Sequence, residues 1–429
     1  MMSIRSFLAA LLVSWSALAH ADAAVPATPA GRALEAWLEA FNSGDRARLA
    51  SFIQTYEPGS DLDSAVAWRA EAGGYDLLDV FGGDSTNVFF HVKARISGRE
   101  DLGRLTVSAE DPTHLTTLRT WRLPPGAKYD AVSLETAARA KLVARIAEEF
   151  NRYYVFPDIG KQMAAAVRRN ESRGEYRSLL YGEDLARKLT EDLREESRDI
   201  HVLVDFSYFV PPAEAVARPE AEARRLAAVN CGFVKLEHLP PNVGYLKFDT
   251  FANPQYCAPT ASAAMTFVAD SAALILDLRD NHGGNPDMAL FILSYLFDER
   301  THLADTFTRA DNTTRETWTL PYVPGKKFLG KPIFILTSKE TFSAAEALSY
   351  FLKYLDRAIV IGETTGGGAH RTETKPIDEH FSVRVPTARS ISPVTKSSWE
   401  GTGVEPDVKV SADEALDVAT KLAAEAGGH

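Results

Sequence analysis

The spacing of apolar residues changes along the chain and predicts first helices and then alternating strands and helices. Between about residues 131 and 200, apolar residues at i, i+3 and i+4 predict helices over 136–153, 159–169 and 182–195. From residue 230 onward, short apolar runs predict strands over 232–236, 243–248, 273–278, 332–337, 358–361 and 381–385. Helical spacing between these runs predicts helices over 260–270, 287–296 and 343–354. This alternation indicates an α/β core with a mixed or largely parallel sheet.

Residues 30–125 have a different pattern, which predicts a small α+β domain. A first helix is indicated by apolar residues at helical spacing, namely Leu34, Trp37, Leu38 and Phe41. A second helix over 46–54 and alternating runs over 87–95 and 103–108 follow, and these runs predict paired strands. The segment AWLEAFNSGDRARLASFI resembles the first helices of nuclear transport factor two and SnoaL-type domains. That resemblance implies a cone-shaped α+β fold.

Proline and glycine positions divide the rest of the chain. A Leu-Pro-Pro-Gly run at 123–126 indicates a boundary after the first domain. We predict a helical lead-in subdomain over 131–207 and then a linker over 208–229, rich in Ala, Glu, Arg and Pro. The α/β core is predicted to span residues 230–412.

The amino terminus is typical of a cleaved export signal. Arg5 precedes an apolar run over 7–19, and an Ala-His-Ala sequence ends at Ala21. The run is shorter than the roughly 20 residues that a membrane-spanning helix needs. We expect cleavage after Ala21, with Ala23 as the alternative. The mature protein is then periplasmic or secreted, without stable membrane insertion.

Composition and charge exclude several classes of protein. With 45% hydrophobic and 24% charged residues, the chain has the composition of an ordinary globular protein. A net charge of −11 without a basic block argues against nucleic acid as a partner. The two cysteines exclude a multi-cysteine zinc site, and in an oxidising compartment Cys231 and Cys257 either pair or remain free and buried. No metal-ligand spacing stands out among the histidines, so no metal and no cofactor is predicted.

Two apolar strands end in short polar turns that carry candidate chemistry. The first segment, over 274–284, ends in Gly283 and Gly284. Either their N–H groups bind an oxyanion, or the two glycines only provide the positive φ of an ordinary strand-to-helix turn. The other runs over 333–346 through Ser343 into a helix. A serine at this place is either a nucleophile at the helix amino terminus or only the cap in a Ser-x-x-Glu capping box.

Three further segments carry polar groups. They are a glycine-rich loop over 362–370, a polar stretch over 397–407, and the Asp-Ile-His sequence at 199–201 between a helix and a strand. Taken singly, each is explained at least as well by a surface turn or by a structural histidine.

Together and in this order, these segments resemble the serine peptidase family that includes C-terminal processing peptidases, the tricorn core protease and the interphotoreceptor retinoid-binding protein. The resemblance spans about residues 131–412 and rests on NVGYLKFDTF from Asn242, LILDLRDNHGG from Leu274, TFSAAEAL from Thr341, GETTGGGAH from Gly362 and WEGTGVEPDV from Trp399. It implies a ClpP/crotonase-like layered α/β core and a peptide or protein substrate. No PDZ-like segment precedes residue 230, which leaves substrate selection to the groove or to the first domain.

The resemblance also implies roles for individual residues. Ser343 matches the family's nucleophile. The N–H of Ala344, with that of Gly283 or Gly284, matches the oxyanion hole. The chemistry implied is acyl transfer through Ser343.

Two ways of activating the serine are known in this family. Processing peptidases use a lysine in the glycine-rich loop, where this chain has Gly368, and Lys375 lies beyond the loop. The tricorn route implies His201 as the general base and Glu400 as the acidic residue that acts through a serine. That serine is replaced by Ile200, which has no hydroxyl.

Alternatives therefore remain both for the general base and for the function of the protein. His370 is the competing base, because it lies in the loop that lacks the lysine. A secreted or periplasmic serine peptidase is the first expectation. The alternative is a non-catalytic protein that binds hydrophobic ligands, as in the retinoid-binding branch, which GETTGGGAH and WEGTGVEPDV especially resemble. An inactive scaffold is the third.

Overall fold

A computed structural model describes residues 24–131, 134–211 and 219–426. The expected export signal at residues 1–21 lies outside this part of the chain. The chain divides into two compact units, residues 1–131 and 132–429. No helix among the described residues is long and apolar enough to span a membrane.

The first unit contains three helices followed by an antiparallel sheet. The helices are α1 (Pro29–Ser43), α2 (Arg46–Tyr56) and α3 (Leu62–Ala72). The strands are β1 (Tyr75–Gly83), β2 (Asn87–Ala94), β3 (Glu100–Val107), β4 (Leu115–Arg122) and the short β5 (Lys128–Tyr129). The sheet order is β1-β2-β3-β4. Trp37 and Phe41 of α1 pack against Tyr75 and Phe90 in the core of this unit. The predicted order of helices and then strands is confirmed, while α3, β1 and β4 were not predicted.

The second unit begins with three amphipathic helices. These are α4 (Thr136–Tyr153), α5 (Pro157–Arg173) and α6 (Gly182–Ser197), followed by β6 (Leu203–Phe206), β7 (Phe209–Val210) and α7 (Pro219–Ala228). All three helices predicted over 131–200 are confirmed. Helix α7 occupies part of the segment predicted as a linker, because Ala, Glu and Arg favour helix. The helical lead-in belongs to the same compact unit as the core.

The core is a six-stranded sheet with helices beside it. Its elements are β8 (Phe233–Leu239), β9 (Val243–Phe248), α8 (Pro254–Val268), β10 (Ala273–Asp277), α9 (Pro286–Leu293), β13 (Ile333–Thr337), α10 (Ala344–Tyr354), β14 (Ile359–Gly362), β17 (Val408–Lys409) and α11 (Ala415–Ala426). The order is β17-β14-β13-β10-β9-β8, parallel except for the antiparallel pair β8–β9. The predicted α/β class with a largely parallel sheet is confirmed.

A second, antiparallel sheet was not predicted. It contains β11 (His302–Thr308), β12 (Thr313–Trp318), β15 (His370–Pro376) and β16 (Phe381–Ile391) in the order β12-β11-β16-β15, and β6 also pairs with β16. Strand β16 therefore pairs with β15 along one edge and with β6 and β11 along the other. This pairing brings β6, which follows His201, close to β15, which follows the glycine-rich loop.

Parallel pairing in the core gathers the candidate loops at one edge. Strands β10, β13 and β14 are adjacent, with Asp277 opposite Leu336 and Thr337 opposite Gly362. Their carboxyl ends therefore lead into the three loops over 278–285, 338–343 and 363–369 side by side. A disulfide joins Cys231 and Cys257 in the second unit, and their Cα atoms are 5.8 Å apart.

Candidate active site

Ser343 lies at a strained turn between β13 and α10. Its backbone has φ 54° and ψ −114°, in the left-handed half of the map that residues other than glycine rarely adopt. Such a conformation costs about 1–3 kcal/mol and persists where the surrounding structure enforces it. The turn places Ser343 at the amino terminus of α10, where the helix dipole favours developing negative charge.

Glu346, in the first turn of α10, holds this turn against the glycine-rich loop. The side chain is fully buried and accepts hydrogen bonds from the backbone N–H groups of Ser343 (2.8 Å), Gly367 (2.7 Å) and Gly368 (2.8 Å) and from the hydroxyl of Thr365 (2.5 Å). Burial raises the pKa of Glu346, and these hydrogen bonds oppose the rise. The glutamate of the predicted capping box therefore also fixes a second segment of the site.

The Gly-Gly turn after β10 lies directly against Ser343. A Cβ atom on Gly283 would stand 2.7 Å from Cβ of Ser343, and φ of Gly283 is +95°. Only glycine permits this approach without strain. The N–H of Gly283 donates to Oδ1 of Asn281 at 2.8 Å, so it is not free to bind an oxyanion. Of the three candidate donors, Gly284 and Ala344 remain, and both line the cavity described below.

His201 contacts Asp199 and lines the same cavity as Ser343. Its backbone N–H and its ring Nδ1 both contact Oδ1 of Asp199, at 2.9 and 3.2 Å. Its ring packs against Phe342, with the centroids 5.2 Å apart. Within the described part of the chain, Nε2 of His201 is buried and has no hydrogen-bond partner, so it is not bonded to Ser343.

Gly368, the residue at which the sequence resemblance predicted that an activating lysine is missing, is closely packed. A Cβ atom there would lie 2.2 Å from the Phe342 ring and 2.8 Å from Cε1 of His201. The rings of Phe342 and His201 therefore fill the space that a side chain at 368 would need. Lys375 lies away from this point, because it pairs with Glu373 at 2.9 Å and stacks on Tyr153.

His370 lies on the other side of the same aspartate. Its Nδ1 is 2.7 Å from Oδ2 of Asp199 and 3.6 Å from Oε2 of Glu400. Glu400 in turn accepts hydrogen bonds from the N–H groups of Ala369 (2.6 Å) and His370 (3.1 Å). The structure therefore joins Glu400 to His370 by hydrogen bonds and also places it within 4.8 Å of a ring nitrogen of His201, whereas the sequence predicted that Glu400 acts through an intervening serine.

Asp199 is the residue that connects both histidines. Its side chain is almost fully buried, and Oδ2 also accepts a hydrogen bond from the hydroxyl of Tyr154 at 3.2 Å. Burial alone would raise the pKa of Asp199, but hydrogen bonds and charge from His201 and His370 outweigh it and hold the pKa well below its ordinary value. Burial and the neighbouring Asp199 also raise the pKa of Tyr154. The aspartate is therefore an anion that only accepts hydrogen bonds.

Ser343, His201 and His370 line one cavity of about 810 Å³. Ala344 and Gly284 form part of its wall. The remaining wall is mixed. Its apolar part includes Leu290, Leu293, Leu303, Phe351 and Trp399, and its charged residues are Asp287, Arg300, Glu316 and Arg371. A cavity of this size and character accepts apolar side chains of a peptide or an apolar small molecule.

One group of side chains in the described residues has the spacing of metal ligands. Asp199, His201 and Glu400 offer ligand atoms that lie within 4.8 Å of one another. The oxygens of Asp199 already accept hydrogen bonds from both histidines and Tyr154, which favours a role in hydrogen bonding over one in metal binding.

The structure thus brings Ser343, His201, His370 and Glu400 to one place, together with Gly284 and Ala344. Three residues of the site were not assigned roles from sequence, namely Asp199, Glu346 and Asn281. The signal for Asp199 was its place two residues before His201. The signal for Glu346 was its place in the capping box. The sequence held no signal for Asn281, because its side chain accepts a hydrogen bond from a backbone N–H, that of Gly283.

Two family profiles match the chain. The profile of peptidase family S41 matches residues 242–410. The profile of the N-terminal domain of peptidase S41 in eukaryotic IRBP matches residues 131–233. The two matches adjoin and together cover more than half of the 429 residues.

The chain is also similar to individual proteins, at low sequence identity. The chloroplastic carboxyl-terminal-processing peptidase 2 of Arabidopsis thaliana is 28% identical over 170 residues, which is 39% of this chain and 32% of that protein. A lipoprotein structure from Streptococcus agalactiae aligns over 72% of this chain and 99% of its own, with a TM-score of 0.50 at 16% identity. The tricorn protease structure aligns over 82% of this chain and 42% of its own, with a TM-score of 0.46 at 14% identity.

The match with the plant peptidase spans only about a third of that relative, and the likeness to the lipoprotein structure concerns the fold alone. The family profiles carry the assignment, because they adjoin in the order of the lead-in helices and the core. The resemblance inferred from the sequence is confirmed: the chain belongs to peptidase family S41, a family of serine-type peptidases.

Proposed function

We propose that this protein hydrolyses peptide bonds through an acyl-enzyme on Ser343, with His201 as the general base. The observation that carries the proposal is the pairing of a strained serine at a helix amino terminus with a histidine whose Nε2 is buried and unpartnered in the same cavity. A histidine with an unpartnered ring nitrogen, lining the same cavity as the serine, is arranged to take a proton. Contacts of this kind often tighten only when substrate binds.

The chemistry follows from these positions. Nε2 of His201 accepts the proton of Ser343 as Oγ attacks the peptide carbonyl carbon. The N–H groups of Gly284 and Ala344 stabilise the oxyanion. The imidazolium then donates its proton to the leaving amine, and the acyl group stays on Ser343. A water molecule that gives a proton to His201 hydrolyses the ester and restores the serine.

A histidine base is favoured over a lysine by the space around the loop. Phe342 and His201 fill the volume beside Gly368, and Lys375 is held by Glu373 and Tyr153. The apolar part of the cavity wall favours substrates with large apolar side chains near the cleaved bond.

The same cavity supports the second candidate, a non-catalytic binder of hydrophobic ligands. Its volume of about 810 Å³ is sufficient for a drug-sized apolar molecule. A binder needs no nucleophile, however, and the strain at Ser343 has no function in simple binding. We therefore favour the peptidase.

A serine-directed fluorophosphonate probe tests the proposal. We expect stoichiometric labelling of the purified protein, with the adduct on the peptide that contains Ser343, and no labelling of Ser343→Ala. Ser338→Ala is a matched control, because Ser338 lies in the same loop but donates to the carbonyl of Arg279. A protein that neither labels nor cleaves a library of peptides, and that binds a fatty acid or retinoid instead, would establish the second candidate.

We also propose that the protein is exported. The signal pattern at residues 1–21 and the Cys231–Cys257 disulfide both support export, because disulfides persist in oxidising compartments. Amino-terminal sequencing of the protein from a periplasmic or secreted fraction is expected to begin at Asp22, or at Ala24 for the alternative site. Recovery only in the cytoplasm with Met1 intact would contradict the proposal.

A further inference from the structure

We infer that Asp199 and His370 are positioning residues for the proposed reaction, and that they link Glu400 to His201 in place of the missing hydroxyl relay. The inference rests on the function proposed above. It assigns three contacts, Glu400 to His370, His370 to Asp199 and Asp199 to His201, and all three groups act on Ser343 only through His201. Glu400 itself also lies within 4.8 Å of a ring nitrogen of His201.

The first step of the argument is the position of residue 200. In the tricorn route the acidic residue acts through a serine at this place, but Ile200 carries no hydroxyl and is about half exposed. Asp199 instead contacts His201 twice, through the backbone N–H and through Nδ1. The two contacts fix both the backbone and the ring of His201 relative to one carboxylate oxygen.

The second step concerns the hydrogen atoms on the two rings. An ionised carboxylate only accepts hydrogen bonds, so Nδ1 of each histidine carries the hydrogen in its contact with Asp199. This tautomer leaves a lone pair on Nε2 of His201, the atom that is buried and unpartnered. The same tautomer commits Nδ1 of His370 to Asp199 and leaves a lone pair on its Nε2 too, so the tautomer does not choose between the two rings. His201 is favoured as the base because its ring packs on Phe342, the residue before Ser343.

The third step is the anchor of His370. Its backbone N–H donates to Glu400, and Nδ1 lies 3.6 Å from the same glutamate oxygen. The ring of Phe156 packs on His370, and the Arg389 guanidinium lies over the same phenylalanine ring. The charged or titratable groups near the Asp199–His370 contact are thus His201, Tyr154 and Glu400, with Arg389 beyond Phe156.

The electrostatic consequence is stabilisation of the charged base. When His201 takes the serine proton, its imidazolium faces Asp199 at the Nδ1 side, and Asp199 stays ionised. His370 holds the second oxygen of Asp199, so the carboxylate keeps its orientation as the charge forms. No proton needs to pass beyond His201.

Steady-state kinetics over pH 4–10 tests the inference, with Asp199→Asn, His370→Leu, His370→Asn and the control Asp205→Asn, which removes an exposed carboxylate from β6. We expect Asp199→Asn to lower kcat/KM by about 10²- to 10⁴-fold. We also expect the acidic limb of its pH profile to move to lower pH, because the negative charge beside the base is lost. Asp205→Asn is expected to match the wild-type profile.

The two His370 variants separate positioning from proton transfer. Asparagine keeps an N–H donor near the place of Nδ1, whereas leucine keeps only volume. We expect His370→Leu to lose about 10- to 100-fold in kcat/KM and His370→Asn to recover most of that loss. Equal losses in both variants, or complete loss in both, would overturn the positioning role.

Labelling by the serine probe distinguishes failure of this inference from failure of the proposed function. Wild-type protein that labels on Ser343, with an Asp199→Asn profile unchanged in shape and position, overturns the inference alone. Wild-type protein that does not label overturns the proposed function. If Asp199→Asn does not fold, Tyr154→Phe replaces it, because it removes only one hydrogen bond from the same carboxylate. The expected result is then a smaller loss with the same direction of pH shift, and an unchanged profile overturns the inference.

Discussion

Replacing His201 by alanine is expected to lower kcat/KM for a peptide substrate by about 10⁴- to 10⁶-fold, because the change removes the base that we propose to activate the serine. The effect should lie mainly in kcat, since in the proposed reaction His201 acts only on the proton that moves. The ring contributes packing against Phe342 but leaves the sheet and α10 untouched, so folding should persist. The measurement is peptide hydrolysis together with the thermal unfolding midpoint of both proteins.

The comparison with His370 decides between the two candidate bases. His370→Ala is expected to retain well over a hundred times the activity of His201→Ala, because the ring of His201 packs on Phe342, the residue before Ser343, whereas His370 is proposed to act only through Asp199. His302→Ala is a matched control, since His302 pairs with Asp305 in β11 and lies outside the site. Full activity in His201→Ala, with the loss appearing in His370→Ala, would move the role of general base to His370.

Elements with a continuous apolar stripe were predicted well from the sequence. Helix α4 was predicted with its observed bounds, because Leu142, Val143, Ile146 and Phe150 form one face that is fully buried. Helix α8 was predicted to begin at residue 260, but it begins at Pro254, since Asn253 caps it and Pro259 is tolerated within its first turns.

The antiparallel sheet was missed for a physical reason. Strands β11 and β12 are rich in threonine and charged residues and are only partly buried, so neither shows an apolar run. Strand β16 was predicted only over 381–385, where its alternation is strong, although it continues to Ile391. Pairing between distant strands decides these elements, and local pattern does not contain that information.

The candidate site also combines local features, which the sequence predicts, with contacts between distant segments, which it does not. The strand–turn–helix at Ser343 and the loop at Gly368 are local features and were found from sequence. The contact between Asp199 and His370 joins residues 171 positions apart, and it exists because β6 and β15 both pair with β16. The sequence left Gly283 and Gly284 open as oxyanion donors, and it did not show that the N–H of Gly283 donates to Asn281.

Replacing Glu346 by alanine is expected to lower the free energy of unfolding by about 3–5 kcal/mol and to abolish measurable turnover. The change leaves four buried donors without an acceptor, three of them backbone N–H groups. It also removes the only side chain among the described residues that fastens both Ser343 and Gly368. The serine turn would then lose the contact that enforces its strained φ, and the glycine-rich loop would separate from it.

Urea unfolding and peptide hydrolysis measure the two effects, and Glu340→Ala is the matched control. Glu340 is an exposed carboxylate three residues before Ser343, so its loss should change stability by less than about 0.5 kcal/mol. A Glu346→Ala protein as stable and as active as Glu340→Ala would show that the serine turn and the loop hold together without this carboxylate.

The pH dependence of the same variant follows from the direction of the pKa shift. Burial raises the pKa of Glu346 above its ordinary value of 4.5, so folding favours the protonated form relative to the unfolded chain. The stabilisation is therefore complete below pH 4.5 and declines as pH rises through the folded pKa. Glu346→Gln has no such titration, and its destabilisation relative to wild type should be largest near pH 4 and smaller at pH 7. A destabilisation that instead grows toward pH 7 would mean that the four hydrogen bonds outweigh burial and that the carboxylate is held as an anion.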